Sequence, residues 1–291
     1  MDDAHIKRQK ITVVAIVALL ALAVLFLLGL IIGNLIGKGS SKLSYTTLNQ
    51  PSSGANYGAL SVVNGTHAYT FPAEEDDLVD MFNYRDEHGG SGKYVLGTSM
   101  KLKSDAADAA NRMLINFCNE SGLANVNLYT AYRTADMQKT YSVPVGQSDH
   151  HTGYLFGLRF ENSGDLFTKT DKTQWLLDNA AKYGLVQRYP EGKEDLTGVK
   201  DYTNVFRYVG VPHATYMKEH NLCLEEYIDL LHGYTQNGKH LKVTGVDGVS
   251  YEIYSQKVSD GETTALKVPS NKTYTVSGDN EGYFIVTVKL G

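Results

Sequence analysis

The sequence predicts a mixed α+β unit, preceded by one membrane-spanning helix and followed by a small all-β module. Three observations carry this expectation. Residues 11–36 are apolar and uncharged; Ser104 to Cys118 has the apolar period of a helix and leads into a strand-like run at Asn125 to Thr130; and from Leu241 onward apolar and polar residues alternate between turn signals. The expected organisation is a cytoplasmic N-terminus over 1–10, a transmembrane helix over 11–36, a linker over 37–57, the α+β domain over 58–234 and the β module over 235–291.

The run at 11–36 exceeds the roughly 20 apolar residues that cross a hydrocarbon core, and a cleaved signal peptide has a shorter apolar region. Lys7, Arg8 and Lys10 precede it while Lys38 and Lys42 follow, which favours a cytoplasmic N-terminus. The large remainder of the chain is expected outside the cytoplasm, because long far-side domains translocate largely regardless of charge. Gly29, Gly33 and Gly37 recur every four residues, the spacing that lets two membrane helices approach, so a homodimer through this face is an expectation.

Gly39 to Ala55, rich in Ser, Gly, Asn and Thr, reads as a linker. Ala59 to Tyr69 predicts a short strand with a turn at Asn64-Gly65. Glu74 to Asp77 could pass for a metal cluster, but four consecutive carboxylates cannot converge on one ion, and a solvated helix start is the better reading. In the helix at 104–118, Ser104 and Asp105 are the expected caps, Ala106, Ala109, Ala110, Met113, Leu114 and Phe117 form the buried stripe, and Gly122 ends it. A second helical stretch is expected from Ala135 to Tyr141.

At 291 residues, 42% hydrophobic and 20% charged, the chain can bury a sizeable core. A net charge of -5, with no basic cluster interleaved with aromatics, argues against nucleic acid as a partner. Cys118 and Cys223 are two buried thiols or one disulfide, the thiols favoured, and show no metal spacing. Tyrosine outnumbers phenylalanine 20 to 9, which suits a surface meeting polar, ring-bearing or sugar-bearing material, although exposed β structure accounts for most of it.

Two stretches carry chemistry, Ser148 to Gly157 (SDHHTGYLFG) and Asp201 to Gly210 (DYTNVFRYVG). With Tyr132-Arg133-Thr134, Gln138, Tyr141, Arg188-Tyr189-Pro190, His213-Ala214 and Leu224-Glu225-Glu226-Tyr227, their order and spacing resemble the VanY-like zinc D,D-carboxypeptidases, which trim terminal D-alanine from bacterial cell-wall peptides. The resemblance covers roughly 58–231 and implies a LAS/VanY-like peptidase fold, a small antiparallel sheet with flanking helices. In that family S-x-H-x-x-G-x-A-x-D supplies a histidine and an aspartate to zinc, and E-x-W-H-x-R-Y-V-G supplies the general base and a second histidine. Three protein ligands leave zinc a position for water, whose pKa it lowers.

Carried over by position, the pattern is incomplete. Ser148, His150 and Gly153 match, but the aspartate position is Gly157, the general-base position is Tyr202, the tryptophan position Asn204 and the second-histidine position Val205. Glycine and valine offer no ligand atom, and a phenol is a poor base at neutral pH. Neither His151, Asp149, Asp165, Asp201 nor His213 is expected to rebuild the site. Arg133 at the oxyanion position, with Gln138, Tyr141 and Ser148, keeps the ligand-facing half, where an arginine suits a peptide carboxylate.

The resemblance with these losses implies a membrane-anchored, extracytoplasmic homologue on a bacterial cell membrane, with no cofactor expected although the family uses zinc. The leading expectation is a pseudoenzyme that binds a peptidoglycan stem peptide or an envelope protein. An active D,D-carboxypeptidase with a non-standard metal site, and a structural envelope assembly protein with a vestigial cleft, are the alternatives. The β module has no catalytic constellation and is expected to dock on the first domain, since so small a sheet buries little core alone.

Overall fold

The computed structural model describes residues 43–160, 171–200 and 202–291. The expectations for residues 11–36, for Gly29, Gly33 and Gly37, for Asp165 and for Asp201 lie outside them. Among the described residues, no helix is long and apolar enough to cross a membrane. In chain order the strands are β1 (Tyr45–Pro51), β2 (Leu78–Asp80), β3 (Val95–Leu96), β4 (Lys101–Lys103), β5 (Val126–Thr130), β6 (Leu155–Phe160), β7 (Leu185–Gln187), β8 (Val205–Tyr208), β9 (Leu241–Thr244), β10 (Ser250–Lys257), β11 (Thr263–Pro269), β12 (Tyr274–Gly278) and β13 (Tyr283–Lys289). The helices are α1 (Met81–Glu87), α2 (Ser104–Ser121), α3 (Ala135–Gln138), α4 (Asp171–Asn179), α5 (Glu194–Thr197), α6 (Val211–His220) and α7 (Leu224–His232).

The fold is mixed α+β, as expected. Its central sheet has the order β3-β5-β6-β8-β7. The sheet is antiparallel except at β3–β5, which run parallel. This corrects the purely antiparallel expectation: α2 lies between those two strands in the chain and provides the crossover that a parallel pair requires. The apolar stripe of α2, Ala106, Ala109, Ala110, Met113, Leu114 and Phe117, is wholly buried against Leu128, Phe156, Leu158 and Phe206 of the sheet. Gly122 ends the helix in the left-handed region at φ 70°.

The start of α2 differs from expectation. Ser104 and Asp105 do not cap it; Asp77 does, its main-chain oxygen accepting from the Ser104 N–H at 3.1 Å and its carboxylate from the Ser104 hydroxyl at 2.7 Å. The acidic run is therefore not a helix start, and α1 begins only at Met81, capped by Asp80. Glu75 and Asp76 instead grip the Lys103 ammonium, at 3.4 and 2.9 Å. The expected strand at Ala59 to Tyr69 is also absent. Asn64 there forms a side-chain turn, its Oδ1 accepting from the main-chain N–H groups of Thr66 and His67, and Val62 N–H donates to Asp279 O.

Part of the expected linker is a strand. β1 pairs antiparallel with β11 along its full length, Tyr45 opposite Pro269 and Pro51 opposite Thr263. Its backbone groups find their partners more than 200 residues away, which local composition cannot reveal. The remaining C-terminal strands form an antiparallel sheet of order β12-β13-β10-β9. Its Leu241, Ile253 and Ile285 share a buried cluster with Met217 of α6 and Ile228 and Leu231 of α7, so the sheet docks as expected. Cys118 and Cys223 are both free and buried, and burial raises each thiol to about 11.

Candidate functional site

The two chemical stretches meet where β6 lies beside β8. Leu155 stands opposite Arg207, Phe156 opposite Phe206 and Gly157 opposite Val205. The positions expected to carry two zinc ligands are thus direct cross-strand neighbours. On the other side of β6, β5 shifts register between Leu128 and Thr130, which places Thr130 opposite Gly157.

That irregularity fills the space where a ligand side chain would begin. A Cβ on Gly157 would lie 2.6 Å from Thr130 Cγ2 and 3.0 Å from Tyr129 Cε1. Val205 is wholly buried in an apolar cluster with Leu155 and Tyr189. Asn204, beside it, donates to Leu158 O at 2.8 Å and to the Tyr129 hydroxyl at 3.0 Å. The neighbouring positions are occupied by packing and hydrogen bonding between side chains of the chain itself.

His150 sits in a 3-10 turn, Asp149–Thr152. Its Nδ1–H donates to Ala131 O at 2.6 Å, which leaves the Nε2 lone pair directed at the Tyr202 hydroxyl, 3.2 Å away. A backbone-anchored Nδ1 is also how metal-ligating histidines are oriented. Here a phenol takes the place opposite Nε2. Burial, with the Arg133 charge nearby, lowers the His150 pKa to about 3, so the ring is neutral. The Tyr202 ring stacks on Tyr189 with centroids 6.0 Å apart, and burial raises its hydroxyl well above the ordinary phenol value. A phenol so shifted holds its proton at neutral pH.

The residues expected to face a ligand lie alongside. Arg133 follows β5; its main-chain N–H donates to His150 O at 3.2 Å and its carbonyl accepts from His151 Nδ1 at 2.7 Å. One terminal nitrogen of its guanidinium donates to Thr130 Oγ1 at 2.9 Å and the other to Gln138 Oε1 at 3.3 Å. Gln138 is held in turn by donating to Val143 O at 2.8 Å. The half-exposed Tyr141 ring covers the guanidinium, 3.6 Å from ring centroid to Cζ. Arg133 is 7% exposed, and its Nε is buried with no hydrogen-bond partner. Ser148, 6% exposed, immediately precedes the 3-10 turn.

The remaining candidates point elsewhere. Asp149 is wholly buried and accepts from Arg188 Nε at 2.5 Å and Arg207 Nε at 3.1 Å, while Arg188 also makes a two-pronged pair with Glu225 at 2.7 and 2.9 Å. This four-residue network ties the turn to β8 and α7. His151 packs against Tyr69 and Phe71. His213 is buried between the Tyr227 and Thr287 hydroxyls, at 2.8 and 2.9 Å.

Sequence reasoning missed Tyr129 and Thr130, whose part is set by a register shift, and missed the Asp149 network, although its arginines and Glu225 fall within the motif-like stretches. To a tetrahedral zinc centre the side chains gathered here offer one imidazole nitrogen, so they do not fit the three-ligand group that the motif implies. Among the described residues, one group with three ligand atoms within 4.8 Å of one another is Asp229, His232 and Glu281, which excludes His150.

Residues 138–211 match the family described as "VanY: D-alanyl-D-alanine carboxypeptidase". A D-alanyl-D-alanine carboxypeptidase of Enterococcus faecium is 31% identical over 245 residues, spanning 80% of this chain and 76% of the relative. The putative carboxypeptidase YodJ of Bacillus subtilis is 36% identical over 88 residues, 29% of this chain and 32% of that protein. Among solved structures, the vancomycin resistance D,D-dipeptidase VanXYg, in complex with a D-Ala-D-Ala phosphinate analogue, superposes with a TM-score of 0.72 at 23% identity, covering 84% of this chain and 99% of that one, which speaks for a shared fold. The chain therefore belongs to the VanY-like D-alanyl-D-alanine carboxypeptidase family.

Proposed function

We propose that the chain is a membrane-anchored, extracytoplasmic member of this family that binds a peptidoglycan stem peptide, or an envelope protein presenting a similar terminus, without hydrolysing it. One observation carries the reading. Gly157 and Val205, at two ligand positions, are closed off by Thr130, Tyr129 and an apolar cluster, while Arg133 beside them keeps a buried, unpaired Nε.

Arg133 has five donors, and two hydrogen bonds hold its terminal nitrogens to Thr130 and Gln138. Its Nε–H and a terminal N–H on the same edge would accept a carboxylate side-on, the geometry in which charge-assisted pairs are strong. Tyr141 would close over the bound group. Hydrolysis would need an activated water and a base; the neutral His150 and the protonated Tyr202 are hydrogen-bonded to each other and provide neither. The uncharged run at 11–36 is the proposed anchor, and its glycines the proposed dimer face.

The test is titration of the full-length chain with a stem pentapeptide ending in D-alanyl-D-alanine. Saturable binding that Arg133→Ala weakens at least tenfold supports a working cleft. No binding by the parent chain would favour a vestigial one.

A further inference from the structure

A recess lies where the central sheet meets the C-terminal sheet. It has a volume of about 360 Å³ and adjoins another of about 290 Å³; the two share Gly58 and Tyr154 in their walls. Tyr154 and Tyr208 line it from the central sheet, with rings stacked 6.2 Å apart, and Tyr251 and Tyr274 line it from the C-terminal sheet. All four are half-buried and stand in the lining of the groove.

The groove is separate from the cleft. Along an extended strand, residue 154 falls on the face of Phe156 and Leu158, whereas Leu155 and Gly157 face the other way. Phe156 and Leu158 belong to the main core and Leu155 to the small cluster around Val205, which confirms the alternation. A ligand here would leave the Arg133 cleft free.

From this lining we infer that the groove binds a neutral glycan, an N-acetylated hexosamine strand, with sugar rings laid on the tyrosine faces. Sugar rings have apolar C–H faces and polar edges, and a tyrosine offers an apolar ring with a polar tip. At the wall, the His213 and Thr287 side chains satisfy each other at 2.9 Å, so they call for no charged partner. One acid, Asp105, and one base, Lys289, stand on the exposed rim, which gives no single-sign field to attract an ion. Val276 and Pro212 supply apolar wall for an acetamido methyl. The recess falls in the size range of ligand sites; the adjoining one, lined by Glu74, Glu75, Asp76 and Lys103, is charged and is not part of the proposed site.

The choice of sugar rests on the envelope reading above; the groove itself does not. The experiment titrates the full-length chain, held in lipid nanodiscs, with tetra-N-acetylchitotetraose and separately with the stem pentapeptide. Expected is saturable binding of the tetrasaccharide, weakened at least tenfold by Tyr274→Ala and by Tyr251→Ala and retained by Tyr251→Phe, which keeps the ring and loses only the hydroxyl bond to Asp247. Tyr274→Ala should bind the pentapeptide as the parent does, which also shows that the variant is folded. Absence of saturable tetrasaccharide binding, or binding undiminished in Tyr274→Ala, overturns the glycan assignment. So does an extended peptide, without glycan, binding along the edge strand β12. If the pentapeptide still binds in those cases, the envelope reading survives; if neither ligand binds, both fail.

Discussion

Gly157 and Val205 stand opposite each other in the β6–β8 ladder, and Thr130 of β5 faces Gly157 from the other side. Neighbouring side chains therefore occupy the space beside Gly157, one of the two positions where the family resemblance expects a zinc ligand. An added Cβ at 2.6 Å from Thr130 Cγ2 requires something to move.

Gly157→Ala should accordingly destabilise the chain by about 1 to 3 kcal/mol, the usual range for overpacking a filled core. Thr130→Ser removes the obstructing methyl and keeps the hydroxyl that accepts from Arg133. In a urea-unfolding double-mutant cycle the pair should cost about 1 kcal/mol less than the sum of the single variants. Strict additivity would mean that Thr130 does not close the site.

Asp149→Asn should be far more damaging, by about 3 to 5 kcal/mol, because it takes the carboxylate from between two buried charges, Arg188 and Arg207, of which Arg188 alone is also paired with Glu225. The midpoint of denaturant unfolding checks this. A loss under 1 kcal/mol would contradict the structural role given to the network.

Stability should fall with acid between pH 6.5 and 3. The pKa values of His150 and His213 drop from 6.5 to about 3 on folding, chiefly through burial, so below pH 6.5 the unfolded chain binds more protons and unfolding gains. At pH 5 each ring contributes a loss on the order of 2 kcal/mol. His232 acts in the opposite sense: burial pulls its pKa down, but the Asp279 hydrogen bond and charge outweigh this and raise it, so its contribution is present at low pH and fades as pH rises. Thermal unfolding at pH 7 and pH 5 reads the net effect, and His213→Asn should flatten the slope.

Arg133→Lys separates charge from geometry. If carboxylate binding depends on the side-on fork, lysine should recover little of the affinity that alanine loses, since its ammonium cannot make the paired contact. Recovery to within twofold of the parent would show that charge alone suffices.

That Gly157 and Val205 carry no ligand atom, and that Tyr202 is a poor base at neutral pH, follows from residue type alone, and the helix at 104–118 announced itself by its apolar period. What could not be read depends on partners distant in the chain. β1 looked like linker because its mate β11 lies more than 200 residues on, Asp77 caps α2 from 27 residues upstream, and the filling of the Gly157 space follows from a register shift. The central sheet's parallel pair was hidden for the same reason.

The most direct test is release of D-alanine from a stem pentapeptide by the purified full-length chain, with zinc content measured on the same sample. Asp229, His232 and Glu281 could hold a metal ion, so His150→Ala and His232→Ala are measured beside the parent. The account predicts no D-alanine release above the no-protein control, and no zinc that depends on His150. Stoichiometric zinc lost in His150→Ala but kept in His232→Ala, together with zinc-dependent release, would contradict it.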